Sequence, residues 1–246
     1  GAELAFTFQG EKLERRVKPL AASVGSEFLL DCDVTNDDQM DAAFAALEAK
    51  WGKIDFLVHA IAFAGKEQLE GSFVDNTTRE GFKSALDISA YSFVDAARRA
   101  SHIMNDDGAM VTLTYLGSER VVPNYNVMGV AKAALEASMR YIAADLGPRG
   151  ICVNAISAGP IKTLAAAGIG SGRHMFRFNK AASAMQDNTD SKGVAGAALY
   201  LLSELGLSCT GETHHVDSGY HVVGMVAVDE AAAVADLLSG LNPDDA

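Results

Sequence analysis

Two tyrosines and a lysine stand close together in this chain. Tyr115 and Tyr125 are ten residues apart, and Lys132 follows Tyr125 by seven. A phenol can donate to an oxyanion as it forms, and an ammonium can hold a cofactor and assist the phenol. A hydride-transfer site needs such parts. Residues seven apart on a helix lie about two turns apart and nearly in line. A helix starting near Pro123 therefore puts Tyr125, Met128 and Lys132 on one face. By itself a tyrosine–lysine pair at this spacing is better read as a core tyrosine and a solvated helix lysine, because the pattern is short.

The neighbouring elements change that balance. Residues 109–115 are rich in strand formers, and a helix-period segment runs on to Met139. Beyond it comes Val153-Asn154-Ala155-Ile156-Ser157-Ala158-Gly159-Pro160-Ile161-Lys162-Thr163. Upstream, residues 2–8 read as a strand and about 10–24 as a helix. Phe28-Leu29-Leu30 leads into Cys32-Asp33-Val34, a strand ending in an acidic residue. Asn36 is placed to cap a helix running to about Trp51. Residues 54–60 form the next strand, and 76–104 read mostly as helix. This alternation predicts an α/β fold, a parallel sheet with helices on both faces and ligands at the carboxyl ends of the strands. No repeat and no Pro- or Ser-rich linker interrupts it, so residues 1–246 are expected to form one domain. The stretch 168–191 breaks the pattern, and long irregular connections are more often functional than not. Residues 227–246 are rich in Ala, Asp and Glu and read as an acidic tail without chemistry.

Bulk properties exclude several classes. The 246 residues are 49% hydrophobic and 21% charged, ordinary values for a globule with a substantial core. No apolar run reaches the length of a membrane span, and no secretory signal is visible. Cys32, Cys152 and Cys209 are far apart and odd in number, so neither a disulfide framework nor a metal site is expected. A cytoplasmic setting follows as the default. The net charge of −12 argues against nucleic acid and gives no attraction to anionic membranes.

In combination the motifs resemble the bacterial NADH-dependent enoyl-acyl carrier protein reductases, a branch of the short-chain dehydrogenase/reductase superfamily. Most of that superfamily separates tyrosine and lysine by three residues. Here the fourth residue after Tyr125 is Gly129, so the common spacing fails and the enoyl reductase spacing fits. The resemblance runs from Gly1 to about Met225. It implies a Rossmann-like, doubly wound parallel sheet. It also implies reduction of trans-2-enoyl-acyl carrier protein with NADH in type II fatty-acid synthesis, by a homotetramer. Apolar helices at 89–104 and 127–139 offer faces for that assembly. Such a fold normally opens with a strand and a Gly-rich turn that receives a pyrophosphate at a helix N-terminus. Neither is present in these 246 residues, and we expect a longer protein to supply them.

The resemblance also assigns roles. Tyr125 would donate to the thioester carbonyl as it becomes an enolate. Lys132 would hold the nicotinamide ribose and favour the same charge. Tyr115 matches the first active-site tyrosine of the family. Gln9 falls where the adenosine ribose lies, and the absence of an adjacent basic residue favours NADH over NADPH. Asp33 and Val34 would contact adenine, although Asp33 alone would pass for a turn residue. Ile61 would pack on the adenosine, and Ala64 would offer its backbone to the substrate. Pro160, Ile161 and Thr163 would line the nicotinamide and pyrophosphate, while Met128 and Met175 would face the acyl chain. Residues 168–191 would cover that chain as a lid. His59 reads as a satisfied interior histidine. Relatives often carry glycine at Ala62, an aromatic residue at Gly172, and a proline with basic residues at Ala184-Met185-Gln186-Asp187. The rival readings are a short-chain reductase acting on a ketone and a non-catalytic, dinucleotide-binding regulatory protein.

Overall fold

The computed structural model describes residues 1–161, 172–226 and residue 235. Six strands and eight helices alternate among these residues. In order they are β1 (Ala5–Phe8), α1 (Gly10–Ser23), β2 (Phe28–Asp31), α2 (Asp37–Trp51), β3 (Ile54–His59), α3 (Phe73–Asn76) and α4 (Arg79–Leu86). Then come α5 (Ser92–Ile103), β4 (Met104–Thr114), α6 (Asn126–Leu146), β5 (Cys152–Ala158), α7 (Gly172–Ala182), α8 (Ser191–Leu201) and β6 (Thr213–Val216). A π-helical turn, Asp87–Tyr91, joins α4 to α5.

Among the described residues all strand pairings are parallel. β1 pairs with β2, and β3-β4-β5-β6 form a second sheet in that order. Successive strand residues point to opposite faces. Met110, Val153 and Ala155 accordingly pack with Phe93, Leu135 and Met139 of α5 and α6. Val111 and Ile156 pack on the other face with Leu201 of α8. Helices thus cover both faces, as the doubly wound reading requires. β5 is buried along six of its seven residues, which suits a central parallel strand.

Between β1 and β3 runs a trench of about 740 Å³, lined by Phe6, Leu30, Phe44, Leu47, Phe56 and Val58 among others. Among the described residues no strand lies between them.

Local signals fix several ends. The Asn36 side chain accepts from the backbone N–H of Gln39 at 3.2 Å, with Asp37 and Asp38 in the first turn of α2. Gly52 closes that helix at φ 73°. Other boundaries differ from the sequence reading. β2 stops at Asp31, leaving Cys32 to Val34 beyond the strand. β4 begins at Met104, which pairs with Ile54, and the left-handed Asp107 lies where the register shifts before Ala109 pairs with Phe56. Residues 172–182, expected as irregular chain, form α7. No helix among the described residues is long and apolar enough to cross a membrane.

Candidate active site

The site forms where β4 ends and α6 begins. Tyr115 is the residue after β4, and Tyr125 is the residue before α6. The helix thus starts three residues later than Pro123 predicts, at Asn126. Tyr125 nonetheless has helical angles (φ −95°, ψ −29°), and its carbonyl accepts from Met128 N–H at 2.9 Å. The shared face with Met128 and Lys132 is preserved. Asn124 and Asn126, on either side of Tyr125, are both left-handed (φ 60° and 41°). Asparagine tolerates that region better than most residues, and such strain concentrates at functional positions.

The rings of Tyr115 and Tyr125 meet edge to face, with centroids 5.0 Å apart. They belong to one apolar cluster with Met128, Val127, Ala131 and Ala64. Gly117 makes this possible. A Cβ there would lie 2.4 Å from the Tyr125 ring, and one at Gly129 would lie 2.6 Å from the Gly117 carbonyl. Burial pushes both phenols well above the ordinary tyrosine range. For Tyr115 the charges of Tyr220 and Asp217 add to the effect, and for Tyr125 those of Tyr115 and Glu136. Both hydroxyls therefore stay neutral and able to donate.

Lys132 is only 6% exposed and donates to the Leu113 carbonyl at 2.7 Å. Burial lowers its pKa to about 8, opposed by the Glu136 carboxylate one turn further along α6. The Thr114 hydroxyl in turn donates to Glu136 at 2.6 Å. His59 is the satisfied interior residue expected of it. Its ring nitrogens lie 2.9 Å from the Thr112 hydroxyl and 2.8 Å from the Ser92 hydroxyl. Burial first, and then the Lys132 charge, lower its pKa to about 3, so it is neutral.

The remaining described candidates fall into four places. Gln9 donates to Asp33 at 2.7 Å, so these two meet at the carboxyl ends of β1 and β2. Hydrogen bonds from the Thr35 backbone and hydroxyl, and from Gln9, keep the Asp33 carboxyl below the usual range. Val34 and Ile61 line the trench together. Pro160, buried, and Ile161, half-buried, follow β5. Met175 is half-buried on α7, whose Phe178 ring meets Tyr220 at 6.2 Å. Thr163 and the stretch 168–171 lie outside the described residues, as does the tail from residue 227 except residue 235. The structure brings Tyr115, Tyr125, Met128 and Ala64 into contact. Gln9, Asp33 and Val34 stand apart from them, toward the first sheet.

Sequence reasoning missed the residues that hold this arrangement. Ser89, in the π-helical turn, accepts from Phe63 N–H at 2.9 Å and donates to the Phe63 carbonyl at 3.1 Å. One fully buried hydroxyl thereby satisfies the loop residue next to Ala64. Nothing in the local sequence marks it, because its partner is 26 positions away. Glu136 carried a signal: a carboxylate on the same helical face as Lys132, four residues on.

A family model described as Enoyl-(Acyl carrier protein) reductase matches residues 1–221. Enoyl-[acyl-carrier-protein] reductase [NADH] 1 of Rhizobium meliloti is 58% identical over 93% of this chain and 84% of its own length. Enoyl-[acyl-carrier-protein] reductase [NADH] FabI of Rickettsia bellii is 53% identical over 91% of this chain and 85% of its own. The crystal structure of the enoyl-(acyl-carrier-protein) reductase of Anaplasma phagocytophilum in complex with NAD is 50% identical. It superposes with a TM-score of 0.88 over 93% of this chain and 87% of that one.

Proposed function

The chain belongs to the enoyl-(acyl carrier protein) reductase family, and we infer that it reduces trans-2-enoyl-acyl carrier protein with NADH in fatty-acid synthesis. The observation that carries this reading to particular residues is the meeting of Tyr115 and Tyr125 at the start of the helix that buries Lys132. Tyr125 donates its hydroxyl hydrogen bond to the thioester oxygen, and the bond strengthens as that oxygen gains enolate charge. Its raised pKa keeps the proton on the phenol until then. Lys132 places a cation beneath the same charge and offers N–H donors to ribose hydroxyls. Tyr115 closes the apolar wall beside Tyr125 and excludes water. Ala64 presents backbone to the substrate, and Met128 lines the acyl path. Helix α7, with Met175, forms part of the cover over that path.

The residues present fit a nicotinamide dinucleotide. Val34 and Ile61 give apolar walls on one cavity where adenine would pack. Gln9 stands at the ribose end, and the anionic Asp33 offers an acceptor beside the adenine. When bound, NADH supplies the hydride that reaches the β-carbon. An anion at Asp33 repels a 2′-phosphate, and Gln9 offers no guanidinium to pair with one. Pro160, Ile161 and Thr163 would flank the nicotinamide and pyrophosphate. We place the reaction in the cytoplasm and in a homotetramer, a reading supported by three unpaired cysteines and by exposed apolar side chains on the helices.

The test is an absorbance assay with crotonyl and longer enoyl thioesters on the intact protein. NADH consumption is expected, with kcat/KM higher for NADH than for NADPH. Turnover of a ketoacyl thioester with none of an enoyl thioester would transfer the protein to the ketone-reducing branch. Equal use of both cofactors would remove Gln9 and Asp33 from their role.

A further inference from the structure

A buried lysine costs free energy in its charged form, and a site that uses the charge must hold it there. On α6 the buried face runs Met128, Ala131, Lys132, Leu135, Glu136, Met139. Two ionisable side chains therefore stand one turn apart in an otherwise apolar stripe. Glu136 is 6% exposed, as is Lys132. A structural role alone would not call for a carboxylate at this position, since the rest of the stripe packs with Leu and Met.

We propose that Glu136 is a positioning residue for the reduction. Fixed by the Thr114 hydroxyl at the end of β4, it supplies the opposite charge that holds Lys132 as an ammonium on the helix that Tyr125 precedes. Two hydrogen bonds define the arrangement. Thr114 donates to Glu136 at 2.6 Å, and Lys132 donates to the carbonyl of Leu113, the preceding residue, at 2.7 Å. Consecutive residues of β4 thus clamp both members of the helical pair. The strand end that carries Tyr115 and the helix that carries Lys132 are locked in one register.

The other ionisable groups facing Lys132 do not replace this charge. His59 of β3 is neutral and would repel the ammonium if protonated. Tyr115 after β4 and Tyr125 before α6 are neutral phenols. Glu136 is the group whose field raises the Lys132 pKa against burial. Without it, the lysine loses its proton at a lower pH, and both ribose binding and enolate stabilisation weaken together.

The inference rests on Lys132 serving the cofactor and the reaction, and the experiment separates the two claims. NADH binding by fluorescence and single-turnover rate are measured from pH 6 to 10 on the intact enzyme and on Glu136→Gln, Glu136→Asp and Lys132→Ala. The glutamine amide can still accept from Thr114, so the fold is expected to survive, and the melting temperature checks it. Glu136→Gln should move the alkaline limb down by about one pH unit, the lower end of what a nearby opposite charge does. At pH 9 this means roughly a tenfold loss. Glu136→Asp, which keeps the charge, should restore most of the wild-type limb. An unmoved limb in Glu136→Gln overturns the proposal. So does an equal shift in both Glu136 variants, which would mark packing rather than charge. If Lys132→Ala binds and reacts as wild type, the underlying reading of the lysine fails instead.

Discussion

At the residue scale, the sharpest consequence concerns Tyr125. Its hydroxyl sits in a buried, apolar site, where a donor aimed at developing charge is worth more than in water. Tyr125→Phe should leave NADH binding nearly intact. Its single-turnover rate should fall roughly a hundredfold, the cost of one oxyanion donor at about 3 kcal/mol. Loss of NADH binding with chemistry intact in the bound fraction would make the tyrosine a cofactor ligand only. His59 leads to a stability prediction. Its folded pKa of about 3 lies below the ordinary histidine value of 6.5, so between these values the unfolded chain binds more protons. Stability should therefore be full above about pH 6.5 and fall below it, by up to about 1.4 kcal/mol per pH unit. Melting temperatures of wild type and His59→Gln at pH 7 and pH 5 test this. The variant should lose less on acidification; identical losses would show that other groups govern the acid limb.

At the element scale, the site depends on how closely the loop after β4 approaches α6. Gly117 and Gly129 form that contact, because a side chain at either would strike the Tyr125 ring or the loop backbone. Gly117→Ala should displace the ring, destabilise the protein by about 1–3 kcal/mol as overpacking does, and lower kcat. Wild-type kinetics with a wild-type melting temperature would mean that the approach is loose. The π-helical turn plays a parallel part on the other side. Through Ser89 it holds Phe63, and Ser92, the next residue beyond the turn, holds His59, so the end of β3 and the loop beyond it are pinned from one helix. Such turns recur at functional sites because they offset neighbouring side chains from regular helical spacing.

At the scale of the whole molecule, apolar surface remains uncovered. Tyr141 on α6, Leu199 on α8, and Leu205 and Leu207 just after α8 are each more than half exposed. Exposed apolar side chains mark an association surface where they adjoin. The homotetramer expected from the sequence would cover them, and light scattering at micromolar concentration should report four times the chain mass. A monomer would refute it. Charged substitutions at Leu199 and Leu205 should shift the mass downward if these side chains meet a partner copy. An unchanged mass would place the contact on α6 instead.

The sequence by itself determined what is local. Strand and helix periodicity set the α/β alternation, Asn36 marked its helix, and the spacing from Tyr125 to Lys132 put both on one face. Those signals sit within one element and need no partner. Even there, β6 and α8 escaped notice: Thr213-His214-His215-Val216 is too short and polar to read as a strand alone, and only its pairing with β5 makes it one. Helix α7 escaped for a similar reason, since the glycine at its start and its mixed polarity resemble a loop. Tertiary structure alone decided what depends on distant chain. It brought Gln9 to Asp33 and Ser89 to Phe63, and it opened a trench between β1 and β3. It also placed Thr114 against Glu136, 22 positions away. Such contacts are fixed by the register in which β4 and α6 pack. That register emerges from the burial of a whole face, and no residue announces it.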